Sequence, residues 1–137
     1  MAGPSLAAQY DFTGAGGTTD WDTAGNWSTD SLPWTWPHEE FPSDYTNEDV
    51  VTINLGAGLT ADRSAGMSID GMRDGSTTAT LNLDGTLNVT GTLWIADWDL
   101  ANGAVIVGPA GTLTSTDEIQ VGNAGGPGGL GTLIVNG

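Results

Sequence analysis

The chain has no cysteine and no lysine, and its only basic side chains are Arg63, Arg73 and a single histidine, His38. Each absence closes a class of function. Without cysteine there are no disulfides, thiolate metal centres or cysteine nucleophiles. Two arginines against 17 acids give a formal charge of −15, so a row of phosphates could not be neutralised and nucleic acid is excluded as a partner. Docking on an anionic membrane fails for the same reason. No apolar run approaches the ~20 residues of a spanning helix, so no membrane span is expected. Helix formers are scarce as well: four Glu and two Gln stand against 22 Gly and 19 Thr. Helices favour Ala, Leu, Glu and Lys, whereas Thr, Val and Ile suit the pleated, half-buried surface of a strand.

What is present points to an all-β chain with a real core. Hydrophobic residues make up 38% of the 137, and they recur in order, unlike those of a disordered acidic tail. Three regions are expected. Residues 1–17 read as disordered, as the remnant of a signal peptide, or as an N-terminal strand; Leu6-Ala7-Ala8-Gln9 is like the small-residue end of a secretion signal. Residues 18–49 hold Trp21, Trp27, Trp34 and Trp36 among Gly-Asn and Pro turn signals. Residues 50–137 show period-2 apolar patterning, starting with Val51, Ile53 and Leu55 on one face of a strand.

The strongest signal is an internal repeat. Gly-Thr-Leu opens at Gly85, Gly91, Gly111 and Gly131, with the last three copies evenly spaced at a period of about 20 residues. Short alternating strands follow: Leu87 and Val89, Leu93 and Ile95, Val105 and Val107, Leu113, Ile119 and Val121, Leu133 and Val135. Glycine-rich corners separate them, as at Asp84-Gly85, Asn102-Gly103 and Gly122-Asn123. Such strands predict a parallel β-solenoid (β-helix) of about 20 residues per coil, with Leu93, Leu113 and Leu133 stacked in one interior ladder. The Trp-rich segment would be its N-terminal cap, because the first coil needs its apolar end covered. The alternative is a β-sandwich with short strands. Because the sequence stops just after a strand, a fragment of a longer solenoid is expected.

Trp21-Asp22-Thr23-Ala24-Gly25-Asn26-Trp27-Ser28 resembles the W-D-x-x-x-N-W opening of large secreted bacterial surface proteins, as does a Pro-containing stretch followed by Asp49-Val50-Val51-Thr52-Ile53. The glycine-rich segments Ile119–Gly126 and Gly131–Val135 are similar to autotransporter-associated β-strand repeats, and to β-helical regions of surface proteins bearing dockerin or sorting-signal C-termini. The resemblance spans roughly residues 18–137. Its motifs are degenerate and specify architecture better than activity. It implies secretion and a passive role outside the cell or on its surface, and it carries no catalytic residues. The chain departs from these proteins in lacking a C-terminal anchor or barrel, which leaves the mode of attachment open.

Candidate sites are few, and each has a bland counterpart. Any Ser-His chemistry would rest on His38, in the acidic loop-like Pro37-His38-Glu39-Glu40, where an exposed histidine is the ordinary reading. A lyase on a β-helix would need Arg63 or Arg73 to stabilise enolate-like charge. Asp-Trp-Asp occurs at Asp20/Asp22 and at Asp97/Asp99, the latter followed by Asn102. Alternating oxygens of this kind can converge on Ca²⁺, and Asp97, Asp99 and Asn102 are the metal candidates, although acids on a corner are more often simply solvated. Trp34 and Trp36, bracketed by prolines, could stack on sugar faces or bury in the cap. Trp94, Ile106 and Ile134 fall on outward strand positions, with Trp94, Thr114 and Ile134 on one stripe at the period of the repeat, and suggest contact with another chain.

The expected function is therefore an extracellular structural or adhesion scaffold, such as a surface stalk, layer or filament, self-associating as a homo-oligomer through its ends or edges. The alternatives are a polysaccharide-binding module using exposed Trp and part of a β-helical carbohydrate-active enzyme.

Overall fold

The computed structural model describes residues 8–30, 32, 51–70, 78–96, 102–122 and 130–137. Eleven strands run through them: β1 Ala8–Phe12, β2 Val51–Leu55, β3 Thr60–Arg63, β4 Met67–Ile69, β5 Thr78–Leu83, β6 Thr86–Val89, β7 Leu93–Ile95, β8 Asn102–Val107, β9 Thr112–Ser115, β10 Ile119–Val121 and β11 Gly131–Val135. Among the described residues the only helical element is one 3-10 turn, Ala24–Asn26. The strands follow from alternation. In β5, Ala79, Leu81 and Leu83 are buried while Thr80 and Asn82 are half-buried, and β6 and β8 repeat the pattern. Period-2 burial is what a strand with one face on a core requires.

The strands form three sheets: β1-β2-β5-β8-β11, β3-β6-β9 and β4-β7-β10. From β2 onward each strand pairs with the one three places later, and every ladder is parallel. This is not the antiparallel pairing of a sandwich. In the second sheet Thr60 faces Thr86 and Thr86 faces Thr112, the same sequence separation of 26 that divides Asp62 from Asn88 and Asn88 from Thr114. The third sheet keeps this step, from Met67 to Leu93 to Ile119. In the first sheet Val51 faces Ala79, Ala79 faces Gly103 and Gly103 faces Gly131, steps that scatter around the same length.

The expected ladder of Leu93, Leu113 and Leu133 does not form. Leu93 pairs with Met67 and Ile119 in the third sheet, Leu113 with Leu87 in the second, and Leu133 with Val105 in the first. The interval read from the sequence is the true step less the short distance between one strand opening and the next. Each move by that interval therefore lands one sheet earlier.

Inward positions build one core. Ile53, Leu81 and Val105 share a row and are fully buried, as are Leu87, Leu93, Ile95, Met67 and Ile69. A second row runs Phe12, Leu55, Leu83 and Val107. Corners recur at the repeat length too. Ala96 follows β7 with φ +63° and donates its N–H to the Ile69 carbonyl (3.1 Å); Gly122, one repeat on, has φ +86° and donates to the Ile95 carbonyl (2.8 Å). Glycine adopts this left-handed turn freely, whereas the alanine is held in it by its buried surroundings. Gly103 answers another need: a Cβ there would run into the Ile69 carbonyl oxygen.

Two measurements test this packing. Leu81→Ala is expected to cost about 2–5 kcal/mol by urea denaturation, as full burial with a residual cavity does, while Leu133→Ala, at the half-buried end of the same row, should cost less than half as much. Gly103→Ala should destabilise the chain at least as much as Leu133→Ala, although it adds only one methyl group.

Candidate functional site

The described residues hold most of their polar organisation in the loop lying against β1 and β3 and on the outward faces of the sheets; apart from these, the buried Ser68 hydroxyl donates to the buried Asp70 carboxylate at 3.0 Å. The loop is built by Trp21 and Trp27. Both are buried, with ring centroids 4.6 Å apart and nearly perpendicular, and Phe12 meets Trp27 edge-on at 5.2 Å. The Trp27 indole N–H donates to the Trp21 carbonyl at 2.8 Å, fixing one ring relative to the other's backbone. Asn26, fully buried, donates from its amide to the Asp20 carbonyl (2.9 Å) and the Thr18 hydroxyl (3.0 Å). The residues of the W-D-x-x-x-N-W motif are thus the hydrogen-bonded frame of this loop.

The acids of the motif are engaged in the same frame. The Asp20 carboxylate accepts from the Asp22 backbone N–H (3.0 Å) and the Thr23 hydroxyl (3.2 Å). Asp22 forms an ion pair with Arg63. Arg63 occupies an inward position in β3, in register with Val89, and is 8% exposed. A guanidinium can sit there because Asp22 supplies the counter-charge, with the Gly66 carbonyl 3.4 Å from the second terminal nitrogen. Arg63 therefore ties the Trp loop to the core and is not presented to a substrate.

On the outward faces, polar side chains link successive strands. In the first sheet Asn82 donates to Asn54 (3.0 Å), and Asn54 donates to Asp11 (2.8 Å). In the second, Thr114 donates to Asn88 (2.7 Å), Asn88 donates to Asp62 (2.8 Å), and Thr19 of the Trp loop donates to the other Asp62 oxygen (2.5 Å). Both chains of bonds end on an acceptor-only carboxylate near β1 and β3. The Thr19 and Asn88 hydrogen bonds favour the charged form of Asp62 and hold its pKa below the ordinary carboxylate value, against a smaller opposing effect of burial. Apart from Thr114, which the sequence places on a stripe with Trp94 and Ile134, these residues are not singled out from the sequence. The signal that could have found them is the spacing of Asp62, Asn88 and Thr114, 26 residues at each step.

Trp34, Trp36, His38, Arg73, Asp97 and Asp99 lie outside the described residues. Asn102 opens β8, and its side-chain oxygen accepts the Leu130 N–H at 2.9 Å. Among the described residues no three His, Cys, Asp or Glu side chains converge as metal ligands would. Trp94 does face outward, half-buried, but its row is Ser68, Trp94 and Gln120, not Thr114 and Ile134. Its ring packs over Gly66, where a Cβ would come within 3.0 Å. Ile106 and Ile134 do adjoin, as register partners on the outer face of the first sheet. No helix among the described residues is long and apolar enough to cross a membrane.

Asp62 supplies a pH test. A carboxylate whose folded pKa is depressed contributes stability above its unfolded pKa of about 3.9, and that contribution is lost as pH falls through the lower folded value. Asp62→Asn should lower the thermal midpoint at pH 7 by about 2 °C, a modest figure because the group is partly solvated. The gap should begin to narrow below the unfolded pKa and close as pH falls through the folded one; a constant gap from pH 7 to pH 2.5 in calorimetry would remove the charge from the explanation.

No protein-family model matches the chain, and no curated protein or solved structure matches it.

Proposed function

We propose that the chain is an extracellular structural or adhesion scaffold built as a parallel β-solenoid of about 26 residues per coil. The observation that carries this reading is the shared register. From β2 onward, three sheets repeat the same strand order with pairing partners about 26 residues apart, and the inward rows continue from one repeat to the next. Each repeat then contributes one strand to each sheet and is stable only against its neighbours, which suits a polypeptide that extends by adding turns. Trp21 and Trp27 serve as the cap of the first coil. Asp11 and Asp62 begin the outer polar ladders, and the side chains that follow tie each coil to the one before it.

The scaffold is preferred to a sugar-binding or catalytic role because the chemically distinctive groups in the described residues have structural occupations. Two tryptophans are buried, Arg63 is paired, and the Asp20 and Asp22 carboxylates are engaged within the loop. The placement outside the cell rests on the motif resemblance and on the acid-rich, lysine-free composition, which suits a surface kept soluble by self-repulsion in salty water.

A whole-coil deletion tests the architecture. Removing residues 86–111 joins Gly85 to Thr112 and so restores Gly-Thr-Leu at the junction. It should leave β9, β10 and β11 to pair with β3, β4 and β5. The shortened chain should keep its β-type circular dichroism and melt cooperatively at a lower temperature. Removing residues 86–105 breaks the register and should abolish cooperative melting. If both deletions behave alike, the proposed coil length is wrong. Micromolar binding on a glycan array, or turnover of a polysaccharide, would overturn the scaffold reading itself.

A further inference from the structure

Arg63 is the chemical exception in its row. A parallel bridge aligns Asp20 with Asp62, which sets Trp21 beside Arg63 on the inward side, and Val89 follows Arg63 one repeat on. Trp21 and Val89 are both buried, so the guanidinium sits between two packed apolar side chains. A buried ion pair is often no more stabilising than apolar side chains of similar volume, whereas losing one partner strands a charge and is strongly destabilising. An arginine at this place therefore makes the packing of the Trp loop conditional on its partner.

That partner is open to solvent. Asp22 pairs with Arg63, and its side chain is 35% exposed against 9% for the arginine. Protons reach the carboxylate freely, while the guanidinium has little water to turn to. Its other contacts are poor: the Gly66 carbonyl lies 3.4 Å from Nη2, and Nε is buried with no hydrogen-bond partner. The indole N–H of Trp21 is likewise buried and unpartnered. No second acid stands in reserve among the described residues. Asp20 is held by the Asp22 N–H and the Thr23 hydroxyl. Asp62, next to Arg63 in β3, alternates to the outer face and accepts there from Thr19 and Asn88. β6 presents the uncharged Val89.

The loop held by this pair covers two strands. Asp11 of β1 donates its N–H to the Ser28 hydroxyl (3.0 Å), and its carbonyl accepts the Ser28 N–H (2.9 Å). Asp62 of β3 donates to the Thr19 carbonyl (2.7 Å), and its own carbonyl accepts the Trp21 N–H (2.8 Å). Trp27 meets Phe12 in an antiparallel bridge. Lifting the loop uncovers these backbone groups together with the rings of Trp21 and Trp27.

We propose that Asp22 and Arg63 form an acid-sensitive latch, closed over β1 and β3 while Asp22 is ionised and released when Asp22 is protonated, with the sheets behind it still folded. The proton comes from solvent to one carboxylate oxygen. The acid becomes neutral, the arginine stays cationic, and the guanidinium regains water only if the loop moves off it. The hold is therefore present at neutral pH and lost as pH falls. This device goes beyond the scaffold reading and depends only on the loop and β3, whatever the length of a coil.

Amide hydrogen exchange by NMR on the whole chain, corrected for the intrinsic rate at each pH, tests the latch. Between pH 7 and pH 2.5 the protection of the Trp21, Ser28 and Asp62 N–H groups should fall about 100-fold, while the N–H groups that pair β5 with β8 keep theirs. Asp22→Asn should show the lowered loop protection already at pH 7. Arg63→Met, with an apolar side chain in place of the charge, should keep the loop protected at both pH values. Asp62 is the other acid at this contact, its pKa held low by the Thr19 and Asn88 hydrogen bonds, and it is unchanged in the arginine variant, which separates the two. Asp117→Asn, an exposed acid between β9 and β10, should behave as the parent. Loop protection that holds until β5 and β8 lose theirs, an Asp22→Asn loop closed at pH 7, or an Arg63→Met loop that opens in acid as the parent does would each overturn the proposal. The parent's own profile supplies the first of these results, so the decision does not hang on whether a variant folds.

Discussion

Parallel backbone pairing at one nearly constant sequence separation is the constraint on which the rest of this structure depends. It fixes which side chains share a row, and hence which must be apolar. With Ile53, Leu81 and Val105 stacked in one row, any polar residue at an inward position needs its own compensation. Arg63 is a charge at such a position, and a partner carboxylate from the Trp loop meets it there. The arginine stands in the first strand of its sheet, where the core is closed by a loop. One repeat further in, its place is taken by Val89.

Much of this architecture was legible in the chain. Alternation at Leu87 and Val89, Leu93 and Ile95, and Val105 and Val107 places strands where the structure has them, because burying one face imposes a period of two. The glycine-rich corners were equally plain. The step of the repeat was misread because Gly-Thr-Leu begins strands in more than one sheet. The offset between neighbouring strand openings, taken from the full repeat, leaves equal intervals between Gly91, Gly111 and Gly131 that correspond to no physical contact. The pair Gly85 and Gly111 carried the true step. Inward apolar residues are interchangeable and so mark register poorly. Outward polar residues mark it better, since Asn88 can donate to Asp62 only if the two strands are aligned to the residue.

The candidate sites were less legible, for a physical reason. An Asp-Trp-Asp motif holds the same atoms whether its carboxylates bind a cation, face water or satisfy backbone donors. Asp20 and Asp22 are held by the protein itself, Asp20 accepting from a local N–H and hydroxyl and Asp22 pairing with Arg63. Tryptophan is ambiguous in the same way. Trp21 and Trp27 bury nearly all of their surface, Trp27 against both Phe12 and Trp21. Only the tertiary setting separates a ring that closes a core from one that offers its face to a ligand.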